Sequence, residues 1–166
     1  MLVAGDIPEA CDLPTGLGKT SIIPIWLLAL AGQASRPDGP VLPRRLVYIV
    51  DRRTVVDQAT TLVRGIRERL LDPDRPDWQE HTATLHAIRA QLTDLCATTS
   101  EPLAVSTLRG ELADNGEWKV DPARPAIVIG TVDMIGSRLL FSGYGDGRYG
   151  RAHHAGLLGQ DALIVH

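Results

Sequence analysis

Hydrophobic positions along this chain fall into two kinds of pattern. Short runs that are apolar at nearly every position occur at 46–50 (LVYIV), 103–107 (LAVST), 126–130 (AIVIG) and 162–165 (ALIV), with a weaker one at 10–13. Each has strand length without polar alternation, as expected for strands of a parallel sheet covered on both faces. Helical spacing lies between them. Residues 20–31 are apolar on every side, which suits a helix buried against a sheet. Pro24 falls in the early part of that helix, where a missing N–H costs least. Val55, Ala59, Leu62, Ile66 and Leu70 mark one face of an amphipathic helix, and Leu85, Ile88, Leu92 and Leu95 mark another. A short helix is predicted over 133–141. The Pro-rich stretch 35–45, the breaker DPDRPDW at 72–78, the polar residues 110–125 and the Gly-rich residues 142–150 read as connections. Strands separated by helices predict an α/β fold with a mostly parallel sheet and helices on both faces.

Composition narrows the classes without changing that picture. The 166 residues include 44% hydrophobic and 22% charged positions, with Lys plus Arg 17 against Asp plus Glu 20 and a net charge of −3. This excludes a disordered tail, a collagen-like fibre and a polybasic arm, but leaves room for a local basic patch. No repeat or second composition zone appears, so one domain is expected. Two cysteines, Cys11 and Cys96, are too few for a disulfide scaffold and point to a reducing compartment. The first 13 residues lack a basic region and carry Asp6 and Glu9, unlike a signal peptide. Residues 22–31 span about half of the ~20 needed to cross a bilayer. The expectation is a soluble cytoplasmic protein with no membrane partner.

The most informative segment is Leu13-Pro14-Thr15-Gly16-Leu17-Gly18-Lys19-Thr20, between a short apolar run and an apolar helix. A Gly-rich turn in that position aims backbone N–H groups and the positive helix end at one anion. Gly16 and Gly18 permit backbone angles that other residues resist. Lys19 supplies a charge for the outer phosphates, and the Thr20 hydroxyl can ligate Mg²⁺ held by the nucleotide. The general phosphate-loop pattern has Gly where Leu13 stands here. The chain holds only one other lysine, Lys119, which makes a stray lysine in this turn a poor explanation. Thr15, Gly16, Leu17, Gly18, Lys19 and Thr20 are therefore the expected ATP and Mg²⁺ site.

LPTGLGKT resembles motif I of superfamily 2 helicases. With VDRRTVVDQ, STLRGE, GTVDMIGSRLL and HAGLLGQDALIVH, the chain resembles the CRISPR-associated helicase–nuclease of type I systems, in its type I-U (I-G) branch. The likeness runs over essentially the whole chain, as the first RecA-like lobe. It implies an ATP-dependent DNA helicase or translocase that acts on single-stranded DNA alongside a CRISPR surveillance complex. It implies catalytic roles for Lys19 and Thr20, and contacts from Arg52, Arg53, Arg109, Gly110 and Thr131 to the DNA backbone. Arg52 and Arg53 also stand where a strand end opens into a helix, so guanidiniums and helix terminus can face one phosphate. In that family the last strand runs into an Asp-Glu-Ala-His box, a second lobe supplies an arginine finger, and a nuclease domain is present. The chain stops at Val165-His166, so the resemblance implies a partial lobe that binds MgATP weakly without useful hydrolysis.

Other readings stay open from the residues alone. Another superfamily 2 translocase, such as a restriction-system subunit, and a non-catalytic nucleotide-binding fragment both share the turn; a small-molecule kinase would need a lid and an acceptor site that are not visible. Asp133 suits a helix N-cap as well as a functional role, and Thr131 suits either. His153, His154 and His166 lack acidic partners at metal-ligand spacing. Trp26 reads as core, whereas Trp78 and Trp118 fall in loops, where stacking on bases competes with packing. Tyr144 and Tyr149 in the Gly-rich loop are equally ambiguous.

Overall fold

The four strongest apolar runs each become a strand. The computed structural model describes residues 2–8, 10, 18–108, 116–143 and 147–166. Strands β1 (Arg45–Val50), β2 (Ala104–Leu108), β3 (Ala126–Thr131) and β4 (Ala162–Val165) form one all-parallel sheet in the order β2-β3-β1-β4. Val50 pairs with Thr131, Leu108 with Gly130 and Tyr48 with Val165. The helices are α1 (Ile22–Ala34), α2 (Arg53–Leu71), α3 (Thr82–Thr93), α4 (Val132–Leu139) and α5 (Gly150–Gly159).

Strand residues alternate between two cores. Leu46, Tyr48, Val105, Ile127 and Ile129 join Ile23, Trp26, Leu30, Val56, Val63 and Leu92 of α1, α2 and α3. Val47, Ala104, Leu108, Ala126 and Val128 join Trp118, Ile135 of α4 and Leu158 of α5 on the opposite face. The β1-to-β2 connection thus crosses one face and the β3-to-β4 connection returns across the other. Opposite directions on opposite faces keep a single hand, as parallel crossovers require.

Several sequence expectations need correction. The buried face of α2 is Val56, Ala59, Thr60, Val63 and Leu70, whereas Leu62 is exposed. The shift is possible because the polar Thr60 finds a buried hydroxyl partner, Thr107, at 2.9 Å. Helix α1 continues one turn beyond the predicted end. The polar stretch 110–125 contains a 3₁₀ turn, Glu117–Lys119, that buries Trp118 completely. Helix α5 follows the Gly-rich loop where no helix was expected, because Gly150, Gly156 and Gly159 hide the apolar positions Ala155 and Leu158. Strand β4 is only partly covered. Ala10 is in no regular element, and the rest of the weak run before the Gly-rich turn lies outside the described residues.

Buried charges tie the elements together. Arg45 of β1 is 1% exposed. Its Nη1 donates to Leu157 O at 2.6 Å and Gln160 O at 3.3 Å, and its Nη2 donates to Pro122 O at 2.8 Å. The outward edge of β2 is covered as well: Val105 N donates to Glu117 Oε2 at 3.5 Å, which blunts a row of open strand groups. Arg67 of α2 bridges Glu101 and Glu117, and Arg124 donates to Glu101 at 2.7 Å and to Leu103 O at 2.8 Å.

Two carboxyls in this framework are perturbed in one direction. Burial alone would raise Asp121, but the amides of Thr98, Ala123 and Ala97, all within 3.0 Å, hold it below the usual range. Burial also works to raise Glu101, and Arg124 and Arg67 outweigh it and lower it. Both groups bind protons more weakly folded than unfolded. Their stabilisation is therefore complete above the unfolded values near pH 4, and is lost as pH falls through the lowered folded values. Urea midpoints measured from pH 7 down to pH 3 should drop most below about pH 4.5, with a shallower fall in Glu101→Gln.

Candidate ligand-binding edge of the sheet

Strands β1 and β3 lie side by side although β2 separates them in the chain. β1 feeds α2 on one face, and β3 feeds α4 on the other. Where neighbouring parallel strands send their helices to opposite faces, a crevice opens at their C-terminal ends, the habitual ligand position in open α/β sheets. Because Val50 pairs with Thr131, residues 51–53 form one wall of this crevice and residues 131–133 the other.

Each wall carries an open helix start. Arg52 is the N-cap of α2 in extended conformation (φ −108°, ψ 128°), no side chain caps the helix, and its first turn holds no acid. Val55 N and Val56 N both bond the Arg52 carbonyl, at 3.0 and 3.2 Å. The earlier amides of the first turn have no intrahelical acceptor, as at every helix start. Arg52 and Arg53 are exposed beside them, so partial and full positive charges converge. On the other wall Thr131 is the N-cap of α4 (φ −81°, ψ 159°), again without a side-chain cap bond. That settles the capping question: Asp133 lies in the first turn, where a carboxylate suits the helix dipole.

The position of Thr131 depends on the residue before it. A Cβ on Gly130 would lie 3.0 Å from Leu108 O and 3.1 Å from two Ile135 carbons. Only glycine lets β3 pass this close to β2 and α4. The third strand end brings His166 Nε2 to 3.7 Å from Asp51 Oδ1, both exposed. Such a surface pair contributes little, but it places a carboxylate next to Arg52 and makes the edge mixed in charge. Sequence reasoning did not anticipate either juxtaposition.

Of the Gly-rich turn, Gly18, Lys19 and Thr20 are described. Gly18 is left-handed (φ 73°, ψ 43°) and caps a 3₁₀ turn, Lys19–Ser21, that runs directly into α1 without a side-chain cap. Lys19 is exposed and Thr20 half-buried. The far end of α1 is pinned by Gln33. Its Nε2 donates to Leu2 O and Val3 O at 2.8 and 3.1 Å, and its Oε1 accepts Val41 N and Leu42 N at 2.9 and 3.0 Å. Val41 and Leu42 lead into the start of β1, so α1 ends at the N-terminal side of the sheet. Its start, with the Lys19–Ser21 turn before it, points toward the C-terminal side. Left-handed glycine, lysine and an open helix start suit a phosphate. Thr15, Gly16 and Leu17 lie outside the described residues, as do Arg109 and Gly110.

The tryptophans resolve toward packing. Trp26 is fully buried and donates to Pro43 O at 3.0 Å. Trp118 is fully buried against His154, with ring centroids 5.5 Å apart. Trp78 carries the Arg75 and Arg69 guanidiniums at 4.7 and 5.5 Å and donates to Asp72 O, so its ring is already engaged. Among the described residues no three His, Cys, Asp or Glu side chains gather as metal ligands. Tyr149 is 95% exposed, and Tyr144 lies outside the described residues. Burial and Asp121 raise the Cys96 thiol against Arg124 and Arg44, which disfavours the nucleophilic thiolate. The shallow depression lined by His86, Arg89, Thr93, Asp94 and Ser100 lies beside the approach to β2, at the opposite edge from the crevice.

No protein-family model, curated protein or solved structure matches this chain. No described helix is long and apolar enough to cross a membrane.

Proposed function

We propose that the chain is the first RecA-like lobe of an ATP-dependent DNA helicase or translocase of superfamily 2. Gly16 to Thr20 hold the triphosphate, with Thr20 toward Mg²⁺ in the bound nucleotide. Arg52, Arg53 and Thr131, with Arg109 and Gly110 next in sequence after β2, grip the single-stranded DNA backbone. The observation that carries this reading is the adjacency of β1 and β3, which puts two helix starts without side-chain caps and two exposed arginines at one sheet edge. That arrangement suits phosphates, since it offers helix-start amides and guanidiniums, the groups that contact the backbone and carry no sequence information. The segments resembling the CRISPR-associated helicase–nuclease favour that member of the superfamily, and with it a role in CRISPR interference beside a surveillance complex.

The chemistry asked of this lobe is positioning. Phosphoryl transfer depends on charge placed around the transferring group. Lys19 and the turn amides bind and orient the phosphates, and Mg²⁺ neutralises the developing charge when bound. MgATP binding is the activity proposed for this lobe. Amide chemical-shift mapping tests the reading. MgATP should perturb residues 16–21, and oligo(dT) should perturb 51–55 and 131–134. Perturbations centred on 86–100 instead would overturn it.

A further inference from the structure

The edge arginines stand at the start of α2, and the buried directional contact nearest that start joins Thr60 of α2 to Thr107 of β2. Thr60, in the second turn of α2, is 6% exposed, and Thr107, next to last in β2, is 8% exposed. Their hydroxyl oxygens are 2.9 Å apart. Thr60 Oγ1 is also 2.7 Å from Val56 O. A carbonyl only accepts, so the single Thr60 hydrogen goes to Val56, and Thr107 must donate to Thr60.

The Arg67 pairs with Glu101 and Glu117 hold the helix further along, away from its start. The other buried residues of α2 are Val56, Ala59, Val63 and Leu70, whose attraction is non-directional. Such a face tolerates small slides; a directional bond between two buried hydroxyls does not, because displacement leaves both unpaired. Thr107 pairs with Ile129, two positions before Thr131. The hydroxyl bond therefore references the start of α2 to the strand ends that form the crevice.

We propose that Thr60 and Thr107 are a positioning pair for the nucleic-acid edge, setting the reach of Arg52 and Arg53 relative to Thr131 without touching the ligand. This rests on the proposed DNA-binding role. Single and double valine variants separate positioning from stability. Thr60→Val leaves the Thr107 donor buried without an acceptor and should lower Tm most, whereas Thr107→Val removes the donor and should lower it less. Thr60→Val/Thr107→Val replaces both hydroxyls with apolar groups of the same shape, so its Tm should return to within a few degrees of wild type.

Oligo(dT) affinity of the full chain, well below Tm, is the deciding readout. The double variant should bind about five- to tenfold more weakly, with the salt slope reduced by about one. Thr107→Ser, which keeps the hydroxyl, should stay within about twofold of wild type. A folded double variant with wild-type affinity and salt slope would overturn the pairing role. Failure of the DNA-binding reading looks different: the wild-type chain would then show no Arg52- and Arg53-dependent binding, which removes both proposals.

Discussion

Lys19→Ala is expected to weaken MgATP binding by about ten- to a hundredfold, the usual range for losing a charge-assisted contact to phosphate. The glycine turn and open helix start remain in this variant, so residual binding through backbone amides is expected. Lys19 is exposed, and its removal leaves no buried group unpaired, so Tm should barely change. Lys119→Ala is the matched control. That lysine lies with its Nζ 5.5 Å from the centroid of buried Trp118, in a turn on the face shared with α5, and its removal should leave nucleotide affinity unchanged. Calorimetric titration of the three proteins with MgATP reads the comparison. Equal weakening by both substitutions would reduce the effect to net charge.

The second large effect concerns the framework. Arg45→Met keeps most of the side-chain volume but removes the donor to three carbonyls, Leu157 O, Gln160 O and Pro122 O. A hydrogen bond from a charged donor contributes roughly 1.5–3 kcal/mol, and the two short ones are lost here, so a loss of about 3 kcal/mol is expected, a large part of an ordinary domain's stability. Arg45→Lys restores the charge without the planar fork and cannot serve three acceptors at once, so it should recover only part. Burial already lowers the proton affinity of Arg45, against a raising influence from Asp161. Chemical denaturation of the three proteins checks the order Arg, Lys, Met. Because Arg45 ties β1 to the end of α5 and to the approach to β3, its loss should loosen the N-terminal side of the sheet and leave the arginine edge unchanged at temperatures where the variant is folded.

What could be read from the chain and what could not follow one physical division. Strands β1 and β3 announce themselves because buried parallel strands are apolar at nearly every position, and β4 is apolar throughout although only partly covered; that signal is local. Helix α2 is equally plain in its period, yet its buried face was off by one position, since Thr60 counts as polar until Thr107 is found beside it. Helix α5 was hidden by its glycines. Trp118, Asp121 and Arg124 read as part of a polar loop, because their partners, the His154 ring, the amides of Ala97 and Thr98, and Glu101 with Leu103 O, lie far along the chain. The Gly-rich turn stands out in the chain because Gly18, Lys19 and Thr20 are consecutive. The crevice does not, because the adjacency of β1 and β3 is a property of strand order, and strand order is set by packing across the sheet.

The central claim, that the C-terminal edge between β1 and β3 holds nucleic-acid phosphates, is tested most directly by fluorescence anisotropy of labelled oligo(dT) with wild type and Arg52→Glu/Arg53→Glu across a salt series. Both arginines are exposed, so the double variant should fold as wild type does. Wild type should bind with affinity that falls steeply with salt, and the double variant should lose about tenfold or more at low salt and lower the slope by about two. Wild-type affinity and slope in the folded double variant would contradict the account.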